Sequence, residues 1–200
     1  MISSADLRAA HAATWDAAVG HRFVDELWAG TVDDAVMARY LAQDALFLDA
    51  FVALLGAAVA TVDAPGPRLV HARQLGLVAG DEDDHFVRAL ARLGVREPAE
   101  PLAPTRDFLA LMDEARASGD YPTIVTVLLV AEWLYLDWAS RGTSAPGDWL
   151  HAEWIELHRG PAFTAWVAFL RDEADRVGPD GSAFARAVEL EATFFDAAYT

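Results

Sequence analysis

The chain contains no cysteine. That excludes disulfides, zinc–thiolate sites, iron–sulfur clusters and a thiol nucleophile. Lysine and asparagine are absent too: the 15 basic residues are all arginine, against 31 acidic ones, for a formal net charge of −16. So acidic a chain repels phosphate backbones and anionic lipid, so no nucleic-acid partner is expected. The alternation of Val, Ile and Thr that marks strands is missing. The opening Met1-Ile2-Ser3-Ser4-Ala5-Asp6 has no basic stretch leading into an apolar core. No secretory signal is therefore expected, and a cytoplasmic location is the expectation.

Hydrophobic residues make up 54% of the 200 residues, above the usual 45–50% or so, which suits a folded core. With no linker, repeat or low-complexity tract, residues 1–200 read as a single domain. Two stretches, Ala45 to Val62 and Thr123 to Ala139, are apolar enough to raise the question of a membrane. The first carries Asp49, the second Glu132 and Asp137, and neither has arginine flanks suited to anchoring. Both are expected as buried helices, with no membrane contact.

Apolar residues recur at helical spacing almost everywhere, and Gly and Pro cut the chain into segments. The expected helices begin with Ser4 to Val19, capped by Ser3 or Ser4, with Leu7, Ala10, Thr14 and Ala17 on one side. His21 to Trp28 follows and ends at Gly30. A long helix starts with Thr31 as N-cap and Asp34 in a box-like role, reaches about Val62 and is stopped by Pro65 and Pro67. Arg68 to Val78 and Asp81 to Leu93 form a pair broken at Gly80. A loop covers Val95 to Pro104, and a helix from Pro104 or Thr105 ends before Gly119. Pro122 to Ser140, the most apolar, is placed centrally. The rest are Ser144 or Gly147 to His158, Pro161 to Val177, and a last helix capped by Ser182 that reaches Tyr199. The fold class expected is an all-α bundle of about eight or nine helices.

Three acidic positions stand among aromatic residues. Asp44, Phe47 and Phe51 lie at i, i+3 and i+7 and share a helix face. A carboxylate beside aromatic rings suits an aminopyrimidine, whose ring stacks while its amino N–H groups donate. The plainer alternative is a core face edged by an acid that reaches solvent or an arginine. Glu132 and Tyr135 are neighbours at i, i+3 in the central helix. Burial there raises the pKa of a glutamate and makes it a candidate acid or base, or a structural acid bonded to Tyr or Arg. Glu191 lies over Phe194 and Phe195 in the last helix, where the alternative is a solvated edge. Glu82-Asp83-Asp84-His85 contains Glu-x-x-His, half of a di-iron pattern. A second copy is missing, since neither Glu132 nor the residue three before His158 completes one. No metal or other cofactor is therefore expected.

Several segments, taken in order, resemble the TenA/thiaminase II family of the haem-oxygenase-like all-α fold. The resemblance runs from about His21 to Tyr199. His21-Arg22-Phe23-Val24-Asp25-Glu26-Leu27-Trp28-Ala29-Gly30-Thr31 looks like the family's approach to its long second helix. Tyr40-Leu41-Ala42-Gln43-Asp44 with Phe47-Leu48 is similar to its Tyr-Leu-x-Gln-Asp signature. Leu102-Ala103-Pro104-Thr105, Phe108 and Met112 look like the next block. Glu132-Trp133-x-Tyr135 falls in the central Cys-x-Trp-x-Tyr segment, and Glu191 with Phe194-Phe195-x-x-Ala198-Tyr199 resembles the C-terminal acid motif.

The resemblance implies hydrolysis at the carbon joining an aminopyrimidine to its leaving group, as in thiamin or a salvage product such as aminomethylpyrimidine. It assigns Asp44 to the amino edge of the ring, Glu191 to acid/base work and Tyr135 to the supporting network. The family's nucleophilic Cys falls at Ala131 here. A Cys-lacking subfamily uses glutamate, and Glu132 is the candidate. Phe47, Phe108 and His158 stand where the family commonly has Tyr, so hydroxyls that orient the substrate are reduced. A homo-oligomer, dimer or tetramer, is expected. Two rival readings share the scaffold. One is a metal- or haem-dependent oxidase, with Glu82, His85, Glu132 and His158 as test ligands; the other is a non-catalytic small-molecule binder.

Overall fold

In the computed structural model, which describes residues 2–96 and 99–200 but not the side chains of 81–83, helix α8 (Tyr121–Ala139) is the centre of the bundle. Asp120 caps it by accepting from the Thr123 N–H at 3.1 Å, and Pro122 sits in its first turn, where no N–H is needed. Of its 19 residues 15 are buried. Around it pack α2 (Ala12–Val19), α4 (Asp34–Thr61), α7 (Ala103–Ser118), α10 (Gly160–Val177) and α11 (Gly181–Ala197). The carboxylate of Asp137 at its far end is satisfied by Trp15 Nε1 at 2.9 Å and Arg8 at 3.3 Å.

The remaining helices are α1 (Ser4–Ala10), α3 (Arg22–Ala29), α5 (Pro65–Leu77), α6 (Asp83–Arg92) and α9 (Trp149–Leu157). The described residues contain no strand. The α1–α2 pair is interrupted at a single residue, His11, and α5 runs into α6 through a π-helical turn, Val78–Glu82. Joining those two interrupted pairs leaves nine rods among the described residues, the upper end of the expected number. The π turn replaces the break expected at Gly80.

Other local expectations shift for identifiable reasons. The inner face of α1–α2 carries Ser4, Leu7, Trp15 and Ala18. Ala10 and Ala17 are exposed, because the large indole sets the packing. Thr31 does not cap α4. Its hydroxyl and its N–H both donate to Glu26 O, at 3.4 and 2.9 Å, closing α3 beyond Gly30, whose backbone is left-handed at φ 68°. Asp33 therefore caps α4, accepting from Ala35 N–H at 2.8 Å. Pro65 begins α5 at its first turn, and α4 ends four residues earlier, at Thr61. Asp180, two residues before the expected Ser182 position, caps α11 by accepting from the N–H groups of Ser182 and Ala183. Residues 97 and 98 of the expected loop lie outside the described residues.

Both α4 and α8 are long and apolar enough to cross a membrane. α8 is enclosed by its neighbours. α4 buries one stripe, Met37, Tyr40, Leu41, Gln43, Asp44, Phe51, Leu54, Leu55 and Ala58, rather than its whole surface.

Candidate active site

Gln43 and Asp44 lie side by side on the buried stripe of α4. Gln43 supplies the cap that α7 lacks: its Oε1 accepts from the Leu102 N–H at 2.8 Å and the Thr105 hydroxyl at 2.7 Å. Its Nε2 donates to the Glu100 carbonyl at 3.1 Å. This ties the start of α7 to α4. One turn along each helix, Phe108 meets Phe47 edge-to-face at 4.9 Å. Phe47 in turn stacks along α4 on Phe51, 5.9 Å away.

Asp44, Phe47, Leu48 and Phe51 from α4 face Ala131, Glu132 and Tyr135 from α8 across a cavity of about 30 Å³, with His158 completing the wall. Ala131 and Glu132 both reach it. The cavity spans enough of α8 to take residues about 100° apart. Glu132 points inward, and its Oε1 accepts from Trp166 Nε1 at 2.9 Å. It also borders an outer groove of about 280 Å³, together with Gln74, Leu77, Val78, Leu157 and Phe163. Glu156 and Arg159, which pair with each other, lie on that groove as well. One carboxylate thus stands at the junction of an inner and an outer space.

Glu191 of α11 is 1% exposed, so the solvated-edge alternative does not apply. Its Oε1 has no hydrogen-bond partner. Burial pushes its pKa well above the usual carboxylate range, and the charges of Asp44 and Glu132 push it further. Three carboxylates from three helices therefore share one apolar region, with the Glu191 site favouring the proton. Tyr40 and Tyr135 join hydroxyls at 2.8 Å beside them. Burial, then the Asp44 charge, raises both phenols, so both are neutral donors.

His158 follows α9. Its Nδ1–H donates to the Trp154 carbonyl at 2.8 Å, and burial lowers its pKa to about 4. The ring is neutral at pH 7, and its Nε2 offers a lone pair. Phe108 is 1% exposed and does not line the cavity; it backs Phe47 from behind.

His85 of the half motif does not line the cavity. His85 Nδ1 meets Glu153 at 3.3 Å, and Arg88 holds the same carboxylate at 2.6 Å. His85 and His158 each pack on Trp154. The Glu82 side chain lies outside the described residues. Among the described residues no three His, Asp or Glu side chains are disposed to hold a metal ion.

Gln43, Tyr40 and Trp166 were not singled out as site residues from sequence. Tyr40 and Gln43 sit within four residues of Asp44, at i−4 and i−1, a signal that was available. Trp166 carries no local signal, because it reaches Glu132 from another helix.

Solved structures give the same fold at low identity. A TenA family transcription regulator from Silicibacter superposes with a TM-score of 0.86 at 22% identity, over 97% of this chain and 95% of that one. A TenA homologue from Pyrococcus furiosus gives 0.86 at 16%, over 98% and 99%. A Sulfolobus solfataricus protein described as a TenA-like thiaminase gives 0.84 at 14%, over 100% and 97%. No curated protein matches the chain. The model of the TENA/THI-4/PQQC family matches residues 8–200. With that match over nearly its full length, and with the fold and the absence of cysteine in agreement, the chain belongs to the TENA/THI-4/PQQC family, on its Cys-lacking side.

Proposed function

We propose that the protein is an aminopyrimidine hydrolase of the thiaminase II type, working with carboxylates alone. The observation that carries this reading is Asp44 and Glu132 on one aromatic cavity, with the buried Glu191 close enough for their charges to drive it towards its neutral form. Asp44 accepts from the amino edge of the pyrimidine, whose faces meet Phe47 and Phe51. Glu132 takes a proton from water as the water oxygen bonds to the exocyclic carbon. The carbon–nitrogen bond breaks with its electron pair on nitrogen, and Glu191 delivers its proton there. Aminomethylpyrimidine and water become hydroxymethylpyrimidine and ammonia. Glu132 ends protonated and Glu191 ionised, and a proton passed between them restores the start. Proton transfers of this kind contribute about 10²–10⁴-fold each. Tyr135, bonded to Tyr40, steadies the network beside the reacting atoms.

Ammonia release from aminomethylpyrimidine tests the reading. Wild type should turn over, and Glu132→Gln and Glu191→Gln should each abolish turnover with the fold intact. The double variant should be little worse than either single one, since parts of one catalytic unit are not additive. Full activity in Glu191→Gln, or a wild type that releases no ammonia from any aminopyrimidine, would overturn it.

A further inference from the structure

Trp166 lies on α10, away from the cavity, and is 5% exposed. Its ring stacks on Phe169 at 5.5 Å and takes the edge of His71 at 5.7 Å. His71 is fully buried on α5, and its Nε2 is 2.8 Å from Tyr121 Oη. The Tyr121 hydroxyl donates to Glu173 at 3.0 Å, which uses its only proton. His71 must therefore donate through Nε2. Burial lowers its pKa to about 4, so the ring is neutral at pH 7. Glu173 is held by Arg176, which also grips Asp63 at 2.8 Å. The indole thus packs against a polar network that runs from His71 through Tyr121 and Glu173 to Arg176 at the surface. It has one hydrogen-bonding group, and that group points at Glu132.

We propose that Trp166 is a positioning residue for the carboxylate chemistry: its N–H holds Glu132 ionised at the junction of the inner cavity and outer groove, leaving the shared proton to Glu191. A donor to a carboxylate stabilises the charged form and not the neutral one. The charged and titratable groups around Glu132 are Asp44 from α4, Tyr135 from α8 and Glu191 from α11. His158 follows α9, and Glu156 and Arg159 stand on the groove. The carboxylates among them disfavour charge on Glu132. A buried N–H donor opposes them from the side where α10 packs. The proposal rests on the hydrolase reading for its effect on rate, but the charge on Glu132 can be measured without turnover.

The experiment replaces Trp166 by Phe and, separately, by β-(3-benzothienyl)alanine. The second keeps the bicyclic shape and puts sulfur where the N–H was. Proteins carrying ¹³C-carboxyl glutamate are titrated by NMR, with the Glu132 signal identified by its loss in Glu132→Gln. Losing a charge-assisted bond should raise the Glu132 midpoint by about one to two pH units in both variants. The acid limb of the kcat–pH profile should move by the same amount, with KM little changed. A merely structural Trp166 would lower the melting temperature of the Phe variant and leave the benzothienyl variant like wild type. A Glu132 midpoint unmoved in the benzothienyl variant overturns the proposal. Should wild type turn over no aminopyrimidine, the hydrolase reading fails while the NMR midpoints still decide the role of Trp166.

Discussion

Replacing Glu191 by Gln should make the protein inactive and, as pH rises, progressively more stable than wild type. In the unfolded chain Glu191 titrates near about 4.3. In the native state its pKa is raised, first by burial and then by Asp44 and Glu132. Between those two values the native state holds a proton that the unfolded state has released. Stability therefore falls as pH rises through this window, by at most about 1.4 kcal/mol per pH unit. The loss accumulates with each pH unit and ends where the pH reaches the native pKa. Gln presents no charge at any pH, so the variant escapes the loss. For a chain of this size each kcal/mol moves Tm by about 2–4 °C. The gap between variant and wild type should widen by up to about 3–6 °C per pH unit inside that window. Thermal melts of both proteins in matched buffers from pH 5 to 8 read it directly. The proton belongs to the cluster, so Asp44→Asn, which removes one repelling charge, should flatten the wild-type slope. A gap that stays constant with pH, or one that closes as pH rises, would refute the argument that Glu191 is held neutral.

Asp44→Asn should weaken aminopyrimidine binding about 10- to 150-fold in calorimetry, since an amide keeps one acceptor and loses the charge. An unchanged Kd would remove Asp44 from the binding site. Gly30→Ala tests the turn into α4. Gly30 sits at φ 68°, and an added Cβ would stand 2.9 Å from Pro146 Cβ. The left-handed backbone alone costs about 1–2 kcal/mol, or about 2–8 °C in Tm. A melting temperature equal to wild type would show that the turn relaxes freely.

What the sequence determined was local. Helical period, the prolines and the capping acids set an all-α chain, and the density of apolar residues in 122–140 marked the central helix. The i, i+3, i+7 spacing put Asp44, Phe47 and Phe51 on one face, because neighbours within a helix are fixed by 3.6 residues per turn. Where helices end was less legible. Thr31, Asp33 and Ser182 are all good caps, and only the hydrogen bonds that close the preceding segments select among them. The relation between helices was decided by tertiary packing alone. Periodicity could not say whether Glu132 or Ala131 faced Asp44, since one step along α8 is 100° and the cavity is wide enough to admit both. Glu191 could have been a solvated edge; α11 rolls it against α4 and α8 and leaves one oxygen unpartnered. Phe108 has the right spacing for a wall residue, yet the Gln43 clamp on α7 sets it behind Phe47. His85 has the spacing of a ligand, yet Glu153 from α9 claims it. Each of these outcomes depends on a partner 59 or more residues away, and helical periodicity does not encode such separations.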